Sequence, residues 1–230
     1  LNEKQRSPFQ SAIKWQYLGE NAIEISDISS DIHFQLGLRD YLKEFPELGI
    51  ASFMLTDKNL TLFSDKNGFM SIPRIIDRVA NYQHEMEVTA SLPLSIIPIC
   101  YDFGIDLNDI SRKLKIDKNE IIKIHSQTTF YIYMIGFVPG HPFMGDLDSM
   151  LYLNRLETPR VKVPAGSIGI IEKFCNIYPY ESPGGWNIIG RTPIKVFNNK
   201  NETQPCLLSP GDTVNFKSIS KKEFDNFTNG

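Results

Sequence analysis

Residues 182–191 read Ser-Pro-Gly-Gly-Trp-Asn-Ile-Ile-Gly-Arg, which sets a turn signal directly before a short β-prone run. The same alternation continues from Thr128 onward, where Pro- and Gly-rich connections separate short β-prone segments. The segments are residues 130–137, 167–171, 186–191, 194–197 and 213–219. Many short strands with such punctuation are typical of a closed or nearly closed barrel. The second half of the chain is therefore predicted to form a β-barrel.

The first ninety residues carry a different pattern, in which strand-like and helix-like segments alternate. The strand-like segments are residues 14–18, 22–25, 50–55 and 59–63, with a further one within residues 92–100. Ser30 or Asp31 can cap a helix that ends near residue 45. Ser71, followed by Pro73, predicts the start of a second helix.

This order of segments favours helices packed over an antiparallel sheet, in a ferredoxin-like α/β sandwich. The predicted fold class is therefore α+β, with a ferredoxin-like domain in residues 1–90 and a barrel domain in residues 91–230. Two short helices, residues 106–114 and 117–125, are expected to lead the barrel domain, and each begins with an aspartate suited to capping, Asp106 and Asp117.

The same two helices resemble a helix-turn-helix, which raises the possibility of DNA binding. A recognition helix is normally basic, but the second helix here contains Glu120 and the 230-residue chain has a net charge of -3. The apolar share of 41% and the charged share of 22% are those of a globular protein. A nucleic-acid binder is therefore not expected.

The cysteines bear on compartment and on metal binding. Cys100, Cys175 and Cys206 lie far apart, without a C-x-x-C pair, so no zinc site is expected and a reducing compartment is favoured. The start of the sequence lacks a signal-peptide pattern, and its apolar runs are too short to span a bilayer. We expect a cytoplasmic protein.

Three Pro- and Gly-rich clusters hold the candidate binding residues: residues 136–142, 158–166 and 182–186. An arginine in such a wall, Arg160 or Arg191, can bind a carboxylate or phosphate through two parallel hydrogen bonds. Backbone amides of Gly184 and Gly185 can form an anion nest, and Trp186 can offer an apolar face or simply pack at the rim. Composition alone leaves open whether these loops bind a ligand or only turn corners between strands.

Acid–base candidates are weaker. Glu181 and Asp146 are the nearby carboxylates, and ordinary surface positions account for both. His125 follows a helical stretch, where it can orient a partner group, and His141 is expected in an exposed loop between Gly140 and Pro142. The sequence contains no P-loop, G-x-S-x-G or H-E-x-x-H motif. Catalytic residues therefore stay unassigned, and no complete active site is predicted.

Several ordered motifs resemble the allophanate hydrolase subunit 1 family, which includes the B subunit of 5-oxoprolinase and a bacterial inhibitor of a sporulation histidine kinase. They are residues 136–140 (Gly-Phe-Val-Pro-Gly), 158–160 (Thr-Pro-Arg), 163–167 (Val-Pro-Ala-Gly-Ser), 178–179 (Tyr-Pro), 182–186 (Ser-Pro-Gly-Gly-Trp), 190–192 (Gly-Arg-Thr) and 208–212 (Leu-Ser-Pro-Gly-Asp). The resemblance is densest from about residue 98 to 219.

The resemblance implies a cyclophilin-like β-barrel after a small α/β domain. It further implies a subunit of an enzyme that uses ATP to open the lactam ring of 5-oxoproline, yielding glutamate. A C-type subunit and an A-type subunit are the implied partners, this chain is expected to be inactive alone, and a partner subunit is a candidate to bind the ATP. Two alternatives stay open: a protein inhibitor of a sensor histidine kinase, and the carboxyltransferase half of a biotin-dependent enzyme similar to urea carboxylase.

The substrate-binding residues that we predict are Arg160, Ser182, Gly184, Gly185, Trp186 and Arg191. Two departures from the family pattern bear on substrate identity. His141 stands where the family usually has an aromatic residue, and Phe174-Cys175-Asn176 stands where it tends to have Gln-Thr-Gly.

Overall fold

The computed structural model of the protein describes residues 13–29, 31–56, 58–64, 70–83 and 94–228. The chain divides into two compact units, Leu1–Ser91 and Leu92–Gly230. Among the described residues, no helix is long and apolar enough to cross a membrane.

Within its described residues, the first unit contains a four-stranded antiparallel sheet and two helices. These are β1 (Lys14–Tyr17), β2 (Ala22–Ser26), α1 (Ile32–Lys43), β3 (Ile50–Leu55), β4 (Leu60–Ser64) and α2 (Ile72–Asn81). The strand order is β1-β2-β4-β3. The Asp31 side chain caps α1 by accepting a hydrogen bond from the backbone N–H of His33 at 2.9 Å, as its sequence position predicts. Ser30, the other predicted cap, lies outside the described residues.

The ferredoxin-like arrangement of this unit is not confirmed. A ferredoxin-like fold runs strand, helix, strand, strand, helix, strand, whereas the described chain here runs strand, strand, helix, strand, strand, helix. The edge position beside β2 is filled by the preceding strand, β1, because a tight turn at Gly19, with φ 67°, returns the chain at once. The later strand predicted within residues 92–100 pairs in the second unit instead.

The described part of the second unit is built on a seven-stranded sheet that is nearly closed into a barrel. Its elements are β5 (Leu94–Ile99), α3 (Leu107–Leu114), α4 (Lys118–Gln127), β6 (Thr129–Ile135), β7 (Pro142–Gly145), β8 (Arg160–Val163), β9 (Ser167–Ile171), β10 (Phe174–Ile177), β11 (Ser182–Gly184), β12 (Asn187–Arg191), β13 (Thr213–Ser218) and α5 (Lys221–Thr228). The sheet order is β12-β9-β10-β7-β6-β13-β5. Its two ends meet where Cys100 and Arg191 exchange backbone hydrogen bonds of 2.8 and 3.0 Å.

Alternation along the strands fills the barrel interior. Ile168 and Ile170 of β9 and Phe130 of β6 are fully buried there, and Val214 of β13 joins them. The other face of β9, at Gly169, points outward, because successive side chains of a strand lie on opposite faces. A separate two-stranded sheet, β8 with β11, is also present.

The Pro- and Gly-rich clusters contain more strand than the sequence predicted. Strands β8 and β11 lie inside them, and β7 and β10 were also missed. The predicted strand at residues 194–197 is wrong as drawn, since within the described chain it makes only an isolated bridge between Phe197 and Cys206. Proline weakens the usual strand signals because it lacks the N–H that a ladder needs, and short paired segments beside it are therefore easily taken for loops.

Candidate functional site

The candidate site lies on the outer face of β9 and β10, under the small β8–β11 sheet. Val163, Tyr178 and Ile188 form a second, smaller hydrophobic cluster there, and the partly buried Trp186 packs against it. Trp186 is therefore a packing residue of the wall, which was one of its two predicted roles. In the wall, Ser182 pairs with Val163 and Gly184 pairs with Arg160, with a register shift between the two pairs.

Four of the predicted residues lie together with Arg160 on this wall. Gly184 is the strand partner of Arg160, and a guanidinium nitrogen of Arg160 lies 3.5 Å from the carbonyl oxygen of Trp186. Gly185 continues the same run, and its carbonyl accepts a hydrogen bond from the N–H of Leu156 at 2.7 Å. The hydroxyl of Ser182 is buried and has no hydrogen-bond partner among the described residues.

Arg160 is held by a carboxylate of its own chain. Its Nη2 pairs with Oδ1 of Asp106, whose other oxygen accepts the backbone N–H of Ile188 at 2.6 Å. The Asp106 side chain is only 7% exposed, while that of Arg160 is 28% exposed. Asp106 was predicted to cap α3, but its side chain makes no cap hydrogen bond and ties β8 to β12 instead. Arg160 therefore keeps one partly exposed face and has its other face fixed.

Arg191 does not join this group. Its Nε donates to the carbonyl oxygen of Ala165 at 2.7 Å, and its guanidinium lies 5.7 Å from the ring centroid of Phe224. It ends β12, whereas Trp186 directly precedes that strand. Trp186 and Arg191 are five residue steps apart in an extended chain, which separates them by roughly 16 Å. The geometry therefore does not bring Arg160 and Arg191 into one anion-binding pocket.

His141 lies at the centre of the site, and its predicted place in an exposed loop is wrong. It is 2% exposed. Its ring stacks on Phe143 at 4.9 Å between centroids and meets Tyr178 edge-on at 5.4 Å. Phe143 in turn lies 5.9 Å from Trp186. His141 is buried because strand β7 starts at the next residue and holds it against the outer face of the barrel, where Phe143 and Tyr178 pack on it.

Asn176 of β10 forms hydrogen bonds with both His141 and the backbone of the neighbouring strand β9. Its Nδ2 lies 2.9 Å from Nε2 of His141, and its Oδ1 accepts the backbone N–H of Gly169 at 3.2 Å. A Cβ at Gly169 would lie 2.9 Å from Oδ1 of Asn176, so glycine is what allows this approach. A Cβ at Gly184 would lie 2.1 Å from the hydroxyl oxygen of Tyr178. Glycines at these two positions thus let polar side chains lie directly on the sheets.

The electrostatics of the site favour uncharged side chains. Burial lowers the pKa of His141 to about 4, so its imidazole is neutral at physiological pH. Burial also raises the pKa of the Tyr178 hydroxyl, although the Asn176 side chain and the Trp186 backbone hydrogen-bond to it and oppose that effect. The site therefore offers neutral donors and acceptors between aromatic rings.

His125 belongs to the barrel core and not to this site. Its Nδ1 lies 2.8 Å from the Tyr101 hydroxyl and its Nε2 lies 3.6 Å from the sulfur of Cys175. Burial lowers the pKa of His125 to about 3 and raises the pKa of the Cys175 thiol. Because Cys175 and Asn176 are neighbours in β10, their side chains lie on opposite faces of the strand. A neutral, solvent-free group of this kind is not poised for nucleophilic chemistry.

The other candidates are surface groups. Glu181 pairs with Lys162 at 3.0 Å in an exposed ion pair. Asp146 accepts a hydrogen bond from the Tyr133 hydroxyl at 3.2 Å. In the described part of the chain, no group of three or more His, Cys, Asp or Glu residues is arranged to hold a metal ion.

The amino-acid sequence of the chain matches a known protein family. The family model described as the carboxyltransferase domain, subdomain C and D, matches residues 14–208. The chain belongs to this family. It is 39% identical to the B subunit of 5-oxoprolinase from Haemophilus influenzae over 173 residues, which cover 74% of this chain and 80% of that protein. It is 34% identical to the corresponding B subunit from Bacillus subtilis over 199 residues, covering 80% of this chain and 82% of that protein. The resemblance inferred from the motifs is thereby confirmed.

A solved structure of a longer protein contains a similar fold. The crystal structure of the Kluyveromyces lactis urea carboxylase superposes with a TM-score of 0.76 at 18% identity, over 97% of this chain and 23% of that chain. At this identity the likeness concerns the carboxyltransferase-like fold alone. The match covers both units of the present chain, so the small N-terminal unit is part of the shared architecture.

Sequence reasoning missed Asp106, Asn176 and Tyr178 as members of the site. Asp106 carried only a capping signal, since its partners lie 54 and 82 residues away along the chain. Asn176 was visible as a departure from the family pattern, and so was His141. The sequence did not indicate that these two residues contact each other, because they are 35 residues apart and local patterns do not report such contacts.

Proposed function

We propose that this chain is the B subunit of an ATP-dependent 5-oxoprolinase, which opens the lactam ring of 5-oxoproline to glutamate. The observation that carries the proposal is identity of 39% and 34% to two 5-oxoprolinase B subunits, each over about four-fifths of their length. Such identity over most of both chains, with the wall motifs in order, supports a shared role. The chain acts in the cytoplasm, where its three free cysteines stay reduced.

The chemistry explains why ATP is needed. A lactam carbonyl is a poor electrophile because its nitrogen donates electron density to it. Transfer of a phosphoryl group from ATP to the lactam oxygen, with release of ADP, makes the ring carbon electrophilic. Water can then add to this carbon, and the ring C–N bond breaks as its nitrogen takes up a proton, which leaves an acyl phosphate. A second water hydrolyses the acyl phosphate to the carboxylate and phosphate. The task left to this chain is to hold the small ring in place and to exclude bulk water during the activated stage.

The wall of β8 and β11 is the surface we assign to the substrate. Arg160 has 28% of its side chain exposed, so it can still meet the substrate carboxylate on its free face. Ser182 contributes a buried hydroxyl and Trp186 backs the pocket, whereas Tyr178 and Arg155 of this chain fill the space beside Gly184 and Gly185. Arg191, at the far end of β12, supports the barrel closure in this proposal and does not touch the same ring.

The nucleotide is assigned to a partner subunit. Phosphates favour helix N-termini, where free N–H groups and the helix dipole attract anions. The helices described in the second unit carry carboxylates there, namely Asp106 at α3, Asp117 at α4 and Glu223 at α5. Like charge opposes a triphosphate at each of these positions, so these three helix N-termini do not suit the phosphates of ATP. We therefore derive no step from nucleotide bound to this chain.

We place the barrel of the C-type subunit on the free edge of β5. Among the described residues this edge meets β12 only through the bridge between Cys100, which follows β5, and Arg191. Leu94 and Ile96 point outward and are 57% and 63% exposed, although an edge strand with exposed apolar residues is normally covered. A groove of about 500 Å³ adjoins this edge. Its lining comprises Ser95, Ile96, Ile97, Pro98, Ile194, Leu207, Lys217, Ile219, Glu223 and Phe227. The mainly apolar lining, with one cation and one anion, suits a protein partner.

Reconstitution tests the assignment. The chain is co-expressed with A-type and C-type partners, and ATP-dependent release of glutamate from 5-oxoproline is measured. The proposal expects activity only when this chain is present, and no activity from this chain alone. Undiminished activity after its omission would remove it from the enzyme. The histidine-kinase inhibitor and the carboxyltransferase half have no observation on this molecule that favours them over the 5-oxoprolinase role.

A further inference from the structure

The starting observation is an amide whose orientation is fixed by the backbone. The N–H of Gly169 can only donate, and it points at the side chain of Asn176 at 3.2 Å. The oxygen of the amide must therefore face Gly169, which leaves the NH₂ group facing His141. A donor at 2.9 Å from Nε2 of His141 requires that nitrogen to be an acceptor.

The tautomer of His141 follows. The imidazole is neutral, because burial lowers its pKa to about 4. A neutral ring whose Nε2 accepts must carry its proton on Nδ1. Nδ1 is therefore an N–H donor, and it is buried with no hydrogen-bond partner among the described residues, in a side chain that is 2% exposed. Buried donors are almost always paired, so one that is unpaired and rigidly oriented marks a place where a partner is expected.

The surroundings specify the chemistry of that partner. Phe143 stacks on the ring, Tyr178 meets it edge-on, and Phe137 covers it at 6.0 Å between centroids. Burying a charged oxygen between such rings is unfavourable unless a cation pairs with it, and the three rings that contact His141 carry no positive charge. A neutral carbonyl oxygen is the acceptor that suits a neutral N–H between aromatic rings.

The cover over His141 is a residue that can give way. Phe137 is 79% exposed, and its backbone lies in the left-handed region with φ 68°. This conformation is unfavourable for a residue with a Cβ. Displacement of Phe137 by a ligand would therefore open space beside the His141 ring at little loss of buried surface.

We propose that His141, oriented by Asn176, is the specificity-determining residue that donates its Nδ1–H to the lactam carbonyl oxygen of the substrate. The identity of the substrate rests on the proposed function, whereas the donor and its neutral acceptor rest on the hydrogen bonds and the burial of His141. His141 and Asn176 also fall within the two segments at which the sequence departs from its family pattern, His141 and residues 174–176, and the structure shows that they form one hydrogen-bonded pair.

The first test is magnetic resonance on the reconstituted complex with ¹⁵N-histidine in this chain. His141 is expected as the Nδ1–H tautomer at pH 7, and its Nδ1 signal is expected to shift on addition of 5-oxoproline. Proline, which has the same ring and carboxylate but no lactam carbonyl, is the matched probe and should leave the signal in place. An Nε2–H tautomer, no shift with 5-oxoproline, or an equal shift with proline would each overturn the proposal.

The second test uses two substitutions at the same position. His141→Phe keeps the ring stacking but removes the donor, whereas His141→Asn keeps an amide N–H near the position of Nδ1. The KM for 5-oxoproline is expected to rise about tenfold or more in His141→Phe and to stay within about threefold of the parent in His141→Asn. A purely structural role predicts the reverse order, because phenylalanine preserves the packing better, and that order would overturn the proposal. If the unmodified complex opens no lactam at all, the proposed function fails, while the tautomer and the probe selectivity still decide the role of His141.

Discussion

The carboxylate of Asp106 accepts the backbone N–H of Ile188 at 2.6 Å while its other oxygen pairs with Arg160. One buried side chain thus joins the start of α3 to strands β8 and β12, which come much later in the sequence. The arrangement fixes one face of Arg160 and leaves its other face free. The orientation of the proposed substrate wall therefore depends on a residue that does not belong to it.

Removal of this carboxylate should destabilise the second unit. In Asp106→Ala the buried N–H of Ile188 loses its acceptor and Arg160 loses its counter-ion, so the free energy of unfolding should fall by about 2–3 kcal/mol. Urea unfolding followed by Trp186 fluorescence measures the loss. A Trp15→Phe background is used, because the chain has two tryptophans and Trp186 then reports alone.

The matched control for this variant is an exposed aspartate that also pairs with an arginine. Asp109 pairs with Arg112, and both side chains are largely exposed. Asp109→Ala should therefore cost less than about 0.5 kcal/mol. Equal losses of unfolding free energy in Asp106→Ala and Asp109→Ala would mean that the buried Asp106 contacts stabilise the unit no more than an exposed ion pair does.

Two adjacent glycines should respond very differently to alanine. A Cβ at Gly184 would lie 2.1 Å from the Tyr178 hydroxyl oxygen, inside the small cluster under the wall. Gly184→Ala should therefore destabilise the second unit by about 1–3 kcal/mol. A Cβ at Gly185 would meet only the far end of the Arg155 side chain, at 3.2 Å, and that flexible end can move away. Thermal unfolding of both variants tests the contrast.

A substitution at Tyr178 tests whether the clash with its hydroxyl causes the loss of stability in Gly184→Ala. Tyr178→Phe removes the atom in the closest clash, so the double variant Gly184→Ala/Tyr178→Phe should recover part of the lost stability. Recovery should be incomplete, because ring carbons of residue 178 would still lie 2.8 Å from the new Cβ. No recovery would place the damage in the backbone of residue 184.

The limits of prediction from the sequence follow from these contacts. Local signals worked where the structure is local: Asp31 caps α1, and β9 occupies the residues predicted for it. The barrel was visible from its repeated turn signals. The site was only half visible, because Asp106 and the pair His141 and Asn176 meet partners 35 or more residues away. Glycines mark where backbones approach closely, but they do not tell which side chain fills the space.

Acid should weaken the second unit between pH 6.5 and about 4. Burial lowers the pKa of His141 to about 4 and that of His125 to about 3, from a usual value of 6.5. The unfolded chain therefore binds these protons at higher pH than the folded chain does. Stability is complete above pH 6.5 and is lost as the pH falls toward the two folded values, by up to about 1.4 kcal/mol per pH unit for each histidine.

Urea unfolding at intervals from pH 7.5 to 5 measures this slope in the Trp186 background. Carboxyl groups titrate mainly below this window, so the histidines dominate it. His125→Gln can retain a hydrogen bond to the Tyr101 hydroxyl but does not titrate, and it should reduce the slope by about half. A slope unchanged by this substitution would contradict the assignment to buried neutral imidazoles.

The free edge of β5 is predicted to be the docking surface for the C-type partner. Ile96 is 63% exposed and lines the adjoining groove. Ile96→Lys places a charge where apolar contact is expected, and since the residue already faces solvent the fold of the isolated chain should be unaffected. Affinity for the partner should fall by tenfold or more, that is by about 1.4 kcal/mol or more.

Ile105 is the matched control, because it is also an isoleucine, is 57% exposed and lies outside the groove. Ile105→Lys should bind the partner normally in the same titration calorimetry, and equal binding by both variants would exclude the β5 edge from the interface.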